Sequence, residues 1–250
     1  MPSVSFPHTE SWFASRGWSP LSFQREVWDA YLRGDSGLVH AATGTGKTLA
    51  AWWGPLLEWL DESGGERSTK KIRRATAPPL RVLWITPLRA LAADTLASLS
   101  APLHDLDISW TLESRTGDTA PGMRARQSKR LPTALVTTPE SLTLLLTRDD
   151  ALEIFTNLRA VVVDEWHELM GTKRGVQMEL ALARLRTLAP RAPMRSSRTT
   201  NGRGCCNSSA RGARYSPRTP SMRAWSWRTA ATCCATASSR GGIACPSVPS

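Results

Sequence analysis

The chain has 250 residues and a formal net charge of +11, a size that allows one α/β domain with additional sequence. It contains no run of 18 apolar residues, and its first residues show neither a basic start nor an apolar core, so we expect a cytoplasmic protein with no membrane partner. The charge is uneven, because residues 191–250 carry ten arginines and no acidic side chain, which leaves 22 basic and 21 acidic side chains in residues 1–190.

Short apolar runs alternate with helix-like stretches along residues 1–190. The runs are continuous and rich in β-branched residues, as in strands that are buried on both faces; they are residues 36–41, 81–86, 133–138 and 160–163. The predicted helices are residues 47–60, 88–99, 121–130, 140–146 and 176–188. Strands that alternate with helices predict an α/β domain with a mostly parallel sheet flanked by helices.

The first apolar run leads into a glycine-rich turn, HAATGTGKT at residues 40–48. Such a turn between a buried strand and a helix is typical of a phosphate-binding loop, because glycines allow successive N–H groups to point at one anion. Lys47 would place a positive charge beside the outer phosphates, and Thr48 would offer its hydroxyl to Mg²⁺. The predicted nucleotide-binding residues of the loop are Thr43, Gly44, Thr45, Gly46, Lys47 and Thr48.

The last apolar run ends in acidic residues, AVVVDEWHEL at residues 160–169. Ligands of such sheets bind at the carboxyl ends of the strands, so Asp164 is expected to hold Mg²⁺. Glu165 would orient and deprotonate an attacking water molecule. His167 would link the site to neighbouring motifs. These three residues and Lys47 form the predicted catalytic set.

HAATGTGKT and VVVDEWHEL resemble the motifs of the DExH-box helicases of superfamily 2. More narrowly, residues 5–190 resemble the first RecA-like P-loop domain of the large helicase-related (Lhr) group in its ligase-associated form. GWSPLSFQREVWDAYLRGDSGLVHAATGTGKTLAAWWGPLLEWL and VVVDEWHELMGTKRGVQMELALARLR carry the narrower match. The first motor domain is therefore expected at residues 1–190.

The resemblance implies an ATP-dependent helicase that uses ATP and Mg²⁺ to move 3′ to 5′ along single-stranded DNA. It implies single-stranded or branched DNA as substrate and a role in bacterial DNA repair beside the DNA ligase and nuclease of the same pathway. The expected location is then the bacterial cytoplasm, on the nucleoid when the protein is bound to DNA.

The resemblance also implies residue roles outside the two phosphate motifs. Gln24 matches a glutamine that reads adenine, although a glutamine at this place could instead cap a helix. Three further segments, TPLRAL, TGD and TPES, match contacts to the backbone of the nucleic acid strand. The predicted nucleic-acid contacts are Thr86, Pro87, Arg89, Thr116, Gly117, Thr138, Pro139 and Glu140.

Residues 191–250 differ in composition from the rest of the chain. They contain no Leu or Phe and are dominated by Ser, Thr, Ala, Arg, Gly and Pro, which predicts a disordered basic tail. The Ser-Ala-Thr motif and the strand that the family places after residue 190 are expected to be missing, as is a second motor domain with its arginine fingers. We hypothesise an out-of-frame tail that begins near residues 190–195, and the resulting truncated motor is expected to be impaired.

Two other functions remain open on the sequence alone. The domain could be a non-catalytic scaffold whose Arg-rich tail binds nucleic acid through its charge. Alternatively, the chain could be a P-loop ATPase that does not act on nucleic acid, which the DEWH and TPES segments argue against.

Overall fold

The computed structural model describes residues 7–42, 44–63, 77–189, 192 and 194–200, which lie within one compact unit ending at Arg203. These residues form eight α-helices: α1 (Pro7–Ser15), α2 (Ser22–Leu32), α3 (Lys47–Glu62), α4 (Arg89–Asp105), α5 (Pro121–Lys129), α6 (Pro139–Leu146), α7 (Ala151–Phe155) and α8 (Lys173–Leu188). They also form six strands: β1 (Gly37–Ala42), β2 (Val82–Ile85), β3 (Leu112–Arg115), β4 (Ala134–Thr137), β5 (Ala160–Val163) and β6 (Met194–Thr200).

The six strands build a single sheet in the order β1-β6-β5-β2-β4-β3, and every neighbouring pair is parallel. Parallel neighbours require crossover connections, and helices supply most of them here. The predicted α/β fold with a parallel, helix-flanked sheet is confirmed. All carboxyl ends of the strands therefore face one edge of the sheet, where the loops that carry the sequence motifs emerge.

The central strands separate two hydrophobic layers. Each of β2, β4 and β5 is buried along its whole length. On one face, Val82 and Trp84 pack in the layer that holds the tryptophans of α1 to α3, whereas Leu83 and Ile85 face the layer formed by α6, α7 and α8. The continuous apolar runs in the sequence thus correspond to strands covered on both sides. Among the described helices, none is both long enough and apolar enough to cross a bilayer.

One expectation about the chain after residue 190 was wrong. Met194–Thr200 forms β6, which lies between β1 and β5 and pairs in parallel with both. Met194 is buried, and its N–H donates to the Ser36 hydroxyl at 3.1 Å. The sheet therefore has the strand that was expected to be missing, and the compact unit runs past the predicted boundary at residue 190. Residues 201–250, which hold most of the predicted tail, lie outside the described residues.

Candidate nucleotide site and adjoining cleft

The phosphate loop joins the end of β1 to the start of α3. Gly44 has φ +79° and Gly46 has φ +81°, a left-handed conformation that residues with a β-carbon rarely adopt. Gly46 is the last residue before α3, so the first N–H groups of that helix are directed toward the loop. Thr43 lies outside the described residues. Both glycines thus have the backbone conformation that a phosphate-binding turn requires, and anion binding by the loop stays a prediction.

The amine of Lys47 is folded back over the loop. It donates to the carbonyls of Ala41 at 3.0 Å and Ala42 at 3.1 Å, and Lys47 as a whole residue is 8% exposed. The hydroxyl of Thr45 donates to the same Ala42 carbonyl at 2.8 Å. The amine therefore lies at the mouth of the loop, where a phosphate oxygen would give it a charge-assisted hydrogen bond.

Gln24 is buried between α2 and the phosphate loop. Its amide oxygen accepts the Leu21 N–H at 2.8 Å, and its amide nitrogen donates to the Gly46 carbonyl at 3.1 Å. The first contact is the helix-capping role that the sequence left open, and the second ties α2 to the loop. Its role in reading adenine stays a prediction, because the amide keeps one further donor and one further acceptor site.

The acidic motif lies at the carboxyl end of β5. The Asp164 N–H continues the sheet ladder to the Ile85 carbonyl at 2.8 Å, and Asp164 Oδ1 accepts the Glu165 N–H at 3.0 Å. Glu165 has φ +45°, one of two positive values for non-glycine residues in the described part of the chain. A non-glycine residue in this region carries backbone strain, which concentrates at functional sites.

His167 lies between two carboxylates. Its Nδ1 is 3.3 Å from Glu165 Oε2, and its Nε2 is 3.1 Å from Glu168 Oε1. The Nδ1 contact does not have hydrogen-bond geometry, and Glu168 is the nearer of the two carboxylates. Glu168 was not predicted from the sequence, although it belongs to the same short motif.

The loop after β1 and the motif after β5 emerge at the same edge of the sheet, with only β6 between their strands. Adjacent strands lie about 4.8 Å apart, so β1 and β5 are separated laterally by about 10 Å. The Thr48 hydroxyl and the Asp164 carboxylate are hard oxygen donors that suit Mg²⁺, which usually takes one or two protein ligands and completes its shell with phosphates and water. Within the described ranges no cluster of three His, Cys, Asp or Glu side chains could hold a metal without such help.

An open cleft of about 150 Å³ lies at the same sheet edge, beyond β2 and β4. Five of the predicted nucleic-acid contacts line it: Arg89, Thr116, Gly117, Thr138 and Glu140. Thr86, Pro87 and Pro139 are buried and do not line it. The cleft therefore joins the segments TPLRAL, TGD and TPES, which are far apart in the sequence.

The turn that carries Gly117 supports one wall of the cleft. Arg89 Nη1 is 3.1 Å from Asp118 Oδ1. A β-carbon at Gly117 would lie only 2.9 Å from Arg89 Cζ, so the absence of a side chain at Gly117 leaves room for the guanidinium group. The Thr116 hydroxyl accepts the Asp118 N–H at 3.2 Å. The polar groups of this turn are thus largely used to hold its own shape.

Two lining arginines were not predicted. Arg115 directly precedes the TGD segment at the end of β3, and Arg124 comes from α5. Desolvation, followed by the charges of Arg148 and Arg124, lowers the pKa of Arg115 below that of an ordinary arginine. Arg115 could have been identified from the sequence because it is next to TGD, whereas the position of Arg124 at the cleft depends on how α5 packs.

Comparison with known proteins agrees with this geometry. The family model for the DEAD/DEAH box helicases matches residues 21–203. The Lhr helicase/uracil glycosylase of Escherichia coli is 35% identical over 198 residues, which cover 75% of this chain and 12% of that protein. The ATP-dependent helicase Lhr-Core of Methanothermobacter thermautotrophicus is 33% identical over 199 residues, which cover 74% of this chain and 22% of that protein.

A solved structure of an Lhr helicase is also similar to this chain in fold. The Mycobacterium smegmatis helicase Lhr, bound to ssDNA and AMP-PNP, matches with a TM-score of 0.63 and 35% identity, over 78% of this chain and 25% of that one. The chain therefore spans a quarter or less of the length of these relatives.

Proposed function

The chain belongs to the DEAD/DEAH box helicases, and on this premise we propose that it carries the first ATP-binding motor domain of an Lhr-like DNA helicase. One observation carries the proposal. A lysine-bearing phosphate loop, an Asp-Glu pair and a cleft lined by arginines all open at the carboxyl edge of one parallel sheet. Ligands of open α/β sheets bind at this edge.

We assign the nucleotide chemistry to five residues. Lys47 would neutralise the outer phosphates. The Thr48 hydroxyl and the Asp164 carboxylate would hold Mg²⁺, which when bound would stabilise the negative charge on the phosphates. Glu165, which follows Asp164 at the end of β5, would accept a proton from the attacking water. His167, whose Nδ1 lies 3.3 Å from Glu165 Oε2, would couple the nucleotide site to the neighbouring motifs.

The proposed substrate is single-stranded or branched DNA. The support is the set of polar segments around the cleft and the ssDNA in the structure of the M. smegmatis relative. We further propose 3′ to 5′ movement, a role in bacterial DNA repair beside a ligase and a nuclease, and action in the cytoplasm where the chromosome lies. These proposals rest on the resemblance to the ligase-associated Lhr helicases.

We propose that a polypeptide of these 250 residues binds ATP but unwinds DNA poorly. Arginine fingers, which in this family come from a second motor domain, are worth about 10³ to 10⁵ in rate. The 198 residues that match the E. coli relative span only 12% of its length. The hypothesis of an out-of-frame tail stays a prediction, and translation of the gene in the other two frames beyond codon 190 tests it. Absence of a Ser-Ala-Thr motif and a second helicase domain in those frames would refute it.

Titration with a fluorescent ATP analogue tests the nucleotide assignment. Lys47→Ala is expected to weaken binding roughly 10- to 100-fold, because it removes a charged hydrogen-bond donor. Lys129→Ala makes the same charge change at an exposed position on α5 and serves as the matched control. Equal affinities of the two variants would contradict the assignment, and measurable strand displacement by the purified chain would contradict its predicted impairment.

A second candidate function is electrostatic binding of nucleic acid by the Arg-rich tail, favoured by the ten arginines after residue 190. Deletion of residues 204–250 removes six of these ten arginines while sparing β6 and the compact unit, and it distinguishes the two functions. If salt-dependent DNA binding disappears while ATP binding persists, the tail is the binding element. If DNA binding persists, the cleft is favoured.

A further inference from the structure

Helix α3 carries the phosphate loop at one end and has a weak point at Gly54 and Pro55. Lys47 is its first residue, and the weak point lies halfway along its 16 residues. Pro55 has no N–H, so the carbonyl of Ala51 lacks its helical hydrogen bond, and a glycine inside a helix stabilises it less than alanine would. The direction of the half of α3 that bears the loop therefore depends on contacts with neighbouring elements.

Helix α2 lies across this weak point. The Tyr31 ring packs directly on Gly54, where a β-carbon would lie 2.5 Å from Tyr31 Cγ. At the loop end, the Gln24 amide of α2 donates to the Gly46 carbonyl at 3.1 Å. Beyond the weak point, the Tyr31 hydroxyl donates to Glu58 Oε2 at 2.8 Å. Contacts from α2 thus hold α3 on both sides of its weak point.

Two arginines connect the second half of α3 to the central strands. Arg159, which directly precedes β5, donates to Glu58 Oε1 at 2.5 Å and to Glu62 Oε1 at 3.1 Å. Arg81, which directly precedes β2, donates to Glu62 Oε2 at 2.8 Å. Burial alone would lower the pKa of Arg159, but the charges of Glu58 and Glu62 outweigh it, and the pKa lies above the usual value. The carboxylates of α3 therefore stabilise the arginine at the start of β5.

The two elements that Arg159 and Glu58 join carry the candidate Mg²⁺ ligands at their opposite ends. α3 begins with Lys47 and Thr48, and β5 leads into Asp164. Mg²⁺ requires nearly octahedral oxygen ligands at about 2.0–2.1 Å, so a small shift of α3 along β5 would disturb a site that takes one ligand from each. A misplacement of about 1 Å that arises far from the reacting atoms can lower a rate about 10²-fold.

We propose that Arg159, Glu58 and Tyr31 are positioning residues that set the spacing between Thr48 and Asp164 by holding α3 against β5 beyond the weak point. The proposal rests on the proposed function, because it concerns Mg²⁺ and ATP at the same site. Arg159 lies at the amino end of β5, opposite the edge where the phosphate loop emerges, so it acts through α3 and not by touching the nucleotide.

Titration of the full 250-residue chain with a fluorescent ATP analogue, in Mg²⁺ and in EDTA, tests the proposal. The measured quantity is the factor by which Mg²⁺ strengthens binding, the Mg²⁺ gain. Arg159→Gln is expected to lower the Mg²⁺ gain roughly 3- to 10-fold, because the two ligands lose their spacing, while the affinity in EDTA stays within about twofold. Arg33→Gln, the matched control, removes an exposed arginine that lies 3.0 Å from Asp35, and it should leave both quantities unchanged.

Further variants test whether the three residues act together. Glu58→Gln should lower the Mg²⁺ gain by a similar factor, and the double variant with Arg159→Gln should lower it no further, because both changes break the same pair. Additive losses would contradict a shared role. Tyr31→Phe keeps the ring on Gly54 and loses only the hydrogen bond to Glu58, so a decrease of roughly twofold is expected. An unchanged gain would refute the role assigned to Tyr31.

The outcomes separate the two proposals. If Mg²⁺ does not strengthen binding by the wild-type chain, the nucleotide assignment fails and the positioning role fails with it. If the wild type shows the Mg²⁺ gain and Arg159→Gln keeps it, only the positioning role is refuted. A lower urea midpoint of Arg159→Gln together with an unchanged Mg²⁺ gain would assign the pair to stability alone and would also refute the positioning role.

Discussion

The Gly46 carbonyl accepts a hydrogen bond from Gln24 and so links the phosphate loop to α2. Replacing Gly46 with alanine is expected to carry two separate free-energy costs. Its φ of +81° would cost a residue with a β-carbon about 1–2 kcal/mol. A β-carbon there would also lie 2.7 Å from Gln24 Nε2 and displace the buried amide from the Gly46 carbonyl. Leaving a buried polar group without its partner costs about 1–3 kcal/mol. Gly46→Ala is therefore expected to lower the free energy of unfolding by about 2–5 kcal/mol.

Gly44→Ala is the matched control for this substitution. Gly44 has nearly the same φ, +79°, but no atom lies within 4 Å of a β-carbon placed there. Only the conformational cost of about 1–2 kcal/mol is expected. Urea unfolding of the full chain, followed by tryptophan fluorescence, measures both variants. Equal losses of stability would show that the contact between Gln24 and the loop contributes nothing, and the reasoning from the buried amide would be refuted.

Three further predictions concern stability. Glu165→Gly should raise the urea midpoint, because it relieves the strain of a left-handed backbone. The free energy of unfolding should rise by about 1 kcal/mol after the entropic cost of glycine is subtracted. A lower midpoint would contradict backbone strain at Glu165. Thr172→Ala should cost about 1 kcal/mol, because the Thr172 hydroxyl caps α8 by accepting the Gly175 N–H at 3.1 Å; an unchanged midpoint would show that the cap is not needed. Hydrogen bonds from Trp12 and from Arg148 lower the pKa values of Asp105 and Asp150; burial alone would raise the pKa of Glu140, but the hydrogen bond from Arg174 helps to bring it below the usual value. Urea midpoints should therefore fall as the pH drops from about 5 to about 3, and a rise would contradict these pairings.

The sequence predicted the parts of the fold that rest on strong local patterns. The β-branched runs of β2, β4 and β5 are buried on both faces, so their composition alone indicates central parallel strands. β3 was missed because LESR is polar and lies half-buried at the sheet edge. The helix α2 was missed although its buried residues Gln24, Trp28 and Tyr31 recur at helical spacing, a stripe that the sequence does carry.

β6 shows where local composition misleads. MRSSRTT has little apolar surface, and its sequence predicted disorder. Without β6, β1 and β5 would each present an unpaired edge, and the strand between them satisfies backbone groups on both sides. Backbone pairing with the neighbouring strands β1 and β5 thus outweighs the disorder that the composition of this segment predicts.

The candidate sites were predictable to the extent that each motif is contiguous. The loop around Lys47 and the pair Asp164 and Glu165 could be found because each has a characteristic spacing beside a strand. Arg124 and Arg174 could not, because α5 and α8 bring them to the cleft only after the chain has folded. Charge balance across a cleft depends on such distant partners.

The most direct test of the central claim measures how Mg²⁺ changes the affinity for a fluorescent ATP analogue. If the phosphate loop and the acidic pair hold the same nucleotide, Mg²⁺ should strengthen binding by the wild-type chain. Asp164→Asn should lose most of that gain while keeping the affinity measured in EDTA, and Lys47→Ala should bind weakly under both conditions. An Asp164→Asn variant that responds to Mg²⁺ as strongly as the wild type would show that the two motifs do not share one Mg–ATP.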